Sequence, residues 1–183
     1  MQDVSDHELL RLTMDGDAGA FTALYRRRQA GVYRYALQMS GAASTAEDVV
    51  QDTFLTLICD GGSYDPARGS VAAFLYGIAR NHVLRRLDRR RLAGEEEAAG
   101  AVAADHPESE LARSETVARV RAAVLALPVH YREAVVLCDL EELDHAEAAA
   151  ALGCAVGTVK SRLHRARQML AERLQAPAAR CSL

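Results

Sequence analysis

Residues 156 to 174 put hydrogen-bond donors on one side of a helix and apolar groups on the other. At about 100° per residue, Val159, Leu163, Ala166 and Leu170 share one face. Gly157, Ser161, His164, Arg165 and Gln168 share the opposite face, flanked by Thr158, Lys160 and Arg162. The forked guanidinium groups of Arg162 and Arg165 match the paired acceptors of a guanine edge, while Lys160 and Thr158 suit phosphate oxygens. The opening turn, Ala155-Val156-Gly157-Thr158, is small enough for close approach, and a helix N-terminus attracts phosphate. An ordinary solvated amphipathic helix has the same periodicity, but the short helix and turn that precede it favour DNA. Basic residues also cluster earlier in the chain: Arg80 to Arg91 holds six Arg and one Asp, and Lys160 to Arg173 holds five basic residues and one acid. Two separated basic patches on a chain of net charge −3 read either as two contacts with a polyanion or as two solvated helix faces.

Groups for bond-breaking chemistry are not gathered in the same way. Glu141, Glu142, Asp144 and His145 are adjacent in sequence, yet they read as a turn and a helix cap, which disfavours a nuclease. Cys59, Cys138, Cys154 and Cys181 lie 79, 16 and 27 residues apart with no CxxC. That spacing suggests neither a zinc site nor a disulfide framework. No metal and no cofactor is expected, His145 and Cys154 are expected to pack, and a reducing cytoplasm is the expected home. No run of 18 apolar residues is present, so no membrane span is expected. The acidic start, Met1-Gln-Asp-Val-Ser-Asp6, is not expected to act as a signal peptide.

The elements that must position these groups follow from composition and pattern. Half of the 183 residues are hydrophobic and 26% are charged, with only 4 Pro and 12 Gly, which predicts a buried core and an all-α fold. Residues 1–91 carry a net charge of +1, residues 92–111 carry −6 with no Lys or Arg, and residues 112–183 carry +2. The middle segment has no apolar periodicity and reads as an acidic linker between two small helical domains. Four helices are predicted in the first. Ser5 or Asp6 caps the first helix, with Leu9, Leu10 and Leu12 inward. Asp17 caps the second and Gly41 ends it. Ser44 or Thr45 opens the third, with Val49, Val50, Phe54, Leu57 and Ile58 inward. After a loop at 60–69, Ser70 caps the fourth, with Val71, Phe74, Leu75 and Ile78 inward. In the second domain, a helix from about Leu111 buries Val117, Val120, Val124 and Leu125 and ends before Pro128. Another runs from Val129 to Leu140. Asp144 and Glu147 form a capping box for a short Ala-rich helix, Gly153-Cys154 makes the turn, and the donor-bearing helix follows. Short helix, turn and longer basic helix together are the helix-turn-helix pattern.

Two stretches, Leu127-Pro-Val-His-Tyr-Arg-Glu-Ala-Val-Val-Leu137 and Leu152-Gly-Cys-Ala-Val-Gly-Thr-Val-Lys-Ser-Arg-Leu-His-Arg-Ala-Arg167, resemble the C-terminal DNA-binding domain of bacterial extracytoplasmic-function (ECF) sigma factors of the sigma-70 family. In the first domain, Ala46-Glu-Asp-Val-Val-Gln-Asp-Thr-Phe-Leu55 resembles that family's core-polymerase-binding helix. Tyr64-Asp-Pro-Ala-Arg-Gly-Ser70 and Leu75-Tyr-Gly-Ile-Ala-Arg-Asn81 resemble its promoter-melting region. The resemblance covers residues 5–91 and 112–174 and implies a non-enzymatic promoter-specificity subunit. Residues 1–91 would be sigma region 2, 92–111 the linker, 112–176 sigma region 4 and 177–183 a tail.

By the same resemblance, Asp48, Gln51, Asp52, Phe54 and Leu55 face the clamp helices of the largest polymerase subunit, and region 4 meets the flap of the second. Asn81 captures an unstacked base of the start-proximal (−10) element, with Tyr64 as a ring of the pocket wall and Arg80, Arg85 and Arg86 on phosphates. Gly157, Thr158, Lys160, Ser161, Arg162, His164 and Arg165 read the upstream (−35) element. Partners would be core RNA polymerase, promoter DNA and an anti-sigma protein, with the free chain a monomer of low DNA affinity because it is net acidic. Phe74 stands where the family often has Trp, Ala155 where Pro is frequent, Asp144 where Ser is frequent, and Ala148 where a larger aliphatic is usual, predicting looser packing there. The loop Cys59-Asp-Gly-Gly-Ser63 is unusual for the family. The acidic linker reads as a solvated tether, or as a nucleic-acid mimic threading toward the RNA path. The competing reading is a stand-alone helix-turn-helix regulator with a helical sensing domain. It would need a dimer to span two half-sites, and no dimer stripe is evident.

Overall fold

The computed structural model describes residues 4–94 and 111–175. Most of the acidic linker and the tail therefore lie outside the described residues. Those described form eight α-helices and no strand: α1 (Asp6–Met14), α2 (Ala18–Ser40), α3 (Ala43–Asp60), α4 (Val71–Leu92), α5 (Leu111–Leu125), α6 (Val129–Val135), α7 (His145–Leu152) and α8 (Val156–Gln175). Their caps are largely those the sequence predicts. Ser5 accepts from the Glu8 N–H, Asp17 from Gly19 and Ala20, Ser70 from Ala73, and Asp144 from Ala146 and Glu147. Gly41 and Gly153 end α2 and α7 at φ 70° and 62°, a left-handed geometry that glycine adopts without penalty.

Four local expectations are corrected. Neither Ser44 nor Thr45 caps α3, which starts one to two residues earlier behind Ala42 with no side-chain cap. Thr45 is buried instead, its hydroxyl accepting from Arg90 at 2.7 Å. Ile58 does not face inward: it is 51% exposed beside Leu55 at 52%, because an i, i+3 pair shares a helix side. Val117 and Val120 are also exposed; α5 is held through Val124, as expected, and Ala123, with Leu127 buried just past its end. The helix after Pro128 is α only to Val135. It then widens into a π turn at Val136–Leu140, in which the Glu141 N–H donates to Val136 O at 2.9 Å. Ala148 itself is fully buried, and the small faces of α7 and α4 meet closely: a Cβ on Gly77 would lie 3.4 Å from Ala151 O.

α4 positions everything else. It packs on α2 and α3 and also on α7, so Val71, Ala73, Leu75, Tyr76, Ala79 and Val83 are all buried. One apolar cluster therefore runs from α1 through to α8 and joins the two halves. Tyr35 sits within it, fully buried and edge-on to Tyr76 at 5.5 Å between ring centres. Among the described residues its hydroxyl has no hydrogen-bond partner, and a buried unbonded hydroxyl costs on the order of 1–3 kcal/mol. Tyr35→Phe is therefore expected to leave stability unchanged or raise it by about 1 kcal/mol. Urea unfolding checks this, and a loss of stability would show that the hydroxyl is bonded in solution.

Candidate nucleic-acid interface

α8 presents the donor face the sequence outlines. Val159, Leu163 and Ala166 are buried. Gly157, Lys160, Ser161, His164 and Arg165 are exposed, and Thr158 and Arg162 are half-buried beside them. Ser161 Oγ donates to Thr158 O at 3.0 Å, while Arg165 Nη1 reaches Gln168 Oε1 at 3.3 Å, so only weak neighbours need be displaced. A Cβ at Gly157 would meet nothing within 4 Å, which leaves the first turn open to a backbone. The helix is anchored from behind by Arg167, whose fork grips Asp139 at 2.6 and 3.1 Å.

The second site is a cleft of about 300 Å³ lined by Tyr64, Arg68, Phe74, Arg80 and Asn81, together with Ala150, Ala151 and Leu152 of α7 and Gly153 at its end. Asn81 is exposed on α4. Tyr64 is fixed by packing: its ring lies 5.5 Å from Phe74 and 5.9 Å from His7, and its hydroxyl donates to Gly69 O at 3.1 Å. Burial, with Asp65 and Asp6 nearby, raises its pKa, so it remains a neutral donor. The arginines differ among themselves. Arg85 is exposed, Arg80 Nε donates to Glu133 at 2.6 Å, and Arg86 holds Asp52 at 2.7 Å. Arg80 and Arg86 are thus bound to carboxylates in this arrangement.

On α3 the expected polymerase-facing residues divide. Asp48, Gln51 and Leu55 are exposed and Asp52 is half-buried. Phe54 is not available to a partner: it is 2% exposed and packs on Tyr25 at 4.7 Å and Phe21 at 6.3 Å. Ile58 takes its place on the exposed stripe, a residue that the i+3 spacing from Leu55 would have identified. His82 lies against this stripe from α4, its Nε2 within 2.9 Å of Thr56 Oγ1 and its Nδ1 3.8 Å from Asp52. Burial holds its pKa below the usual value despite the pull of Asp52.

Sequence reading missed a third set entirely. Glu141, Arg34, Tyr76, Glu133 and Arg132 tie the two halves together, with partners as far as 107 positions apart in the chain. No local pattern signals such pairs. Among the described residues no group of three His, Cys, Asp or Glu could hold a metal, and no helix is long and apolar enough to cross a membrane.

Comparison with known proteins bears on both halves. The family model described as Sigma-70 region 2 matches residues 24–92, and that described as Sigma-70, region 4 matches residues 118–170. The ECF RNA polymerase sigma factor SigM of Mycobacterium tuberculosis is 38% identical over 182 residues, spanning 93% of this chain and 85% of the relative. The ECF RNA polymerase sigma factor SigE of Mycolicibacterium smegmatis is 37% identical over 167 residues, spanning 87% of this chain and 64% of the relative's length. Among solved structures, CnrH in complex with the cytosolic domain of CnrY is similar with a TM-score of 0.72 and 28% identity, covering 94% of this chain and 99% of that one. The sigma factor RpoE in complex with the anti-sigma factor NepR from Bartonella quintana gives a TM-score of 0.68 and 29% identity, covering 85% and 97%.

Proposed function

The chain belongs to the ECF RNA polymerase sigma factors of the sigma-70 family, and from that premise we propose that it directs core polymerase to specific promoters without catalysing a reaction itself. The observation that carries this reading is the exposed donor face of α8, Lys160, Ser161, His164 and Arg165, set on a short helix and turn and fitted to a major groove. This face reads the upstream element. Asn81, with an amide that both donates and accepts, takes an unstacked base of the start-proximal element in the cleft of α4, where Tyr64 walls the pocket. Arg85 holds phosphate there, joined by Arg80 and Arg86 once they leave their carboxylates. Extruding a base costs a few kcal/mol, which a fitted pocket can recover. Asp48, Gln51, Asp52 and Leu55 form the core-binding stripe on α3, which suits the basic coiled coil of the polymerase clamp. Region 4 meets the flap of the second large subunit. The chain works in the cytoplasm as a monomer until it meets core, and an anti-sigma protein holds it in check. CnrH and RpoE, two similar proteins of known structure, are each bound to a protein partner, in RpoE's case a named anti-sigma factor.

Run-off transcription with purified bacterial core and a genomic fragment library, with and without this chain, tests the reading. Transcripts are expected only when the chain is present, and Asn81→Ala is expected to lower them by about tenfold, the equivalent of one good base contact. Absence of transcripts and of core association, together with tight binding of the free chain to duplex DNA, would leave the stand-alone regulator instead.

A further inference from the structure

α1 lies ahead of residues 24–92, the span the region 2 family model matches, yet it is fastened to the loop that carries Tyr64. A Cβ on Gly61 would fall 2.7 Å from Met14 Sδ and 3.6 Å from Leu10 Cδ1, so the loop runs close against the end of the helix. At the other end Asp6 pairs with Arg27 at 2.7 Å and with Arg28, and Arg27 also donates to Val4 O at 2.9 Å. Leu9 and Leu10 are buried between these two anchors. The helix is held at both ends, and the backbone of His7 with it.

His7 is exposed, and among the described residues no hydrogen bond engages its imidazole. It stands instead at the end of a row of rings. Phe74 and Tyr64 lie 5.5 Å apart between ring centres, and Tyr64 and His7 lie 5.9 Å apart. Tyr64 and Phe74 line the same cleft as Asn81, so the row leads out of the cleft to a ring in solvent. The planes are tilted by 54° and 53° rather than stacked, an edge-toward-face arrangement that does not use up the ring faces on one another. A ring that served only to steady Tyr64 would gain most from burial, and His7 is not buried.

We propose that His7 extends the base-capture site: the base next to the one that Asn81 takes stacks on the imidazole, at the end of the row Phe74–Tyr64–His7. This rests on the promoter-melting reading of the cleft. Every base has a π face, so such a stack holds the opened strand whatever base stands there, and sequence choice stays with the amide of Asn81. α1 thereby takes a part in holding the melted strand that the matched region 2 span does not include.

The test uses the full chain with core polymerase on a promoter recovered from the run-off library. The non-template strand carries 2-aminopurine at successive positions of the start-proximal element, a base analogue that is dim when stacked and bright when free. The position that responds to Asn81→Ala marks the captured base. With the intact chain a neighbouring position is expected to be dim. His7→Ala is expected to brighten that neighbour alone and to lower run-off transcription by about tenfold, the loss of one base–ring stack. His7→Phe keeps a ring and is expected to restore both signals, whereas His7→Gln keeps hydrogen-bonding groups without a ring and is expected to restore neither. Because the side chain is exposed, all three variants are expected to unfold at the same temperature as the intact chain, by circular dichroism. A neighbouring base whose signal no His7 variant changes would overturn the stack. Rescue by His7→Gln as complete as that by His7→Phe would overturn it too, since the contact would then be a hydrogen bond. Transcription lowered by Asn81→Ala and untouched by His7→Ala sinks the stack alone, whereas no transcripts from the intact chain sink it together with the function it rests on.

Discussion

Arg132→Met is expected to lower stability by about 3–5 kcal/mol, since hydrogen bonds from a charged donor contribute about 1.5–3 kcal/mol each and are not fully additive. Arg132 is 3% exposed. Its guanidinium donates to Met39 O in the last turn of α2, to Leu125 O at the end of α5, and to Leu127 O at 3.2 Å. One positive group thus answers the carbonyls at the C-terminal ends of two helices, where the helix dipoles favour a cation. Methionine preserves most of the apolar stem, so the loss isolates the guanidinium. Arg132→Lys, with a single ammonium in place of the fork, is expected to recover only part of it. Thermal unfolding followed by circular dichroism should show a midpoint lower by about 10 °C. A fall of only a degree or two would mean that water replaces the guanidinium without cost and that the two helix ends are not bridged in solution.

The second large effect concerns the α3 stripe. Asp48→Arg is expected to weaken association with core polymerase by about 100-fold, because placing like charges across an interface costs several kcal/mol. Anisotropy of the labelled chain titrated with core measures this directly. Asp48 borders a groove with Arg86, Arg89 and Arg90, so the reversal also extends an already basic surface. Ile58→Ala is expected to weaken association more mildly and leave the fold unchanged, since its side chain is half exposed. Phe54→Ala behaves differently: it removes a ring from the Tyr25–Phe21 cluster and is expected to destabilise the chain by about 3–5 kcal/mol, measurable by urea unfolding. If Asp48→Arg binds core as the intact chain does, the stripe is a solvated helix start and core binds elsewhere.

The sequence by itself determined the helices, most of their caps and the donor face of α8. Each of these depends on neighbours within about four positions, which is the reach of helical periodicity and of cap chemistry. Asp17, Ser70, Asp144 and Gly153 were legible for that reason, and Val159, Leu163 and Ala166 could be separated from Lys160, Ser161 and Arg165 by angle alone. The tertiary structure decided what lies against each face. Phe54 and Leu55 are adjacent in sequence, yet one is in the core and the other in solvent, because α2 supplies Phe21 and Tyr25 on one side only. Glu141 read as a turn residue and is instead the buried acceptor between Arg34 and Tyr76. The carboxylate and its partners come from separate helices, and only the π turn before it and the closeness allowed by Gly31 bring them within hydrogen-bond distance. That Asn81 stays exposed at a cleft shared with α7 is set by the same long-range packing. A burial energy that depends on which surfaces meet leaves no mark on a periodicity of 3.6 residues.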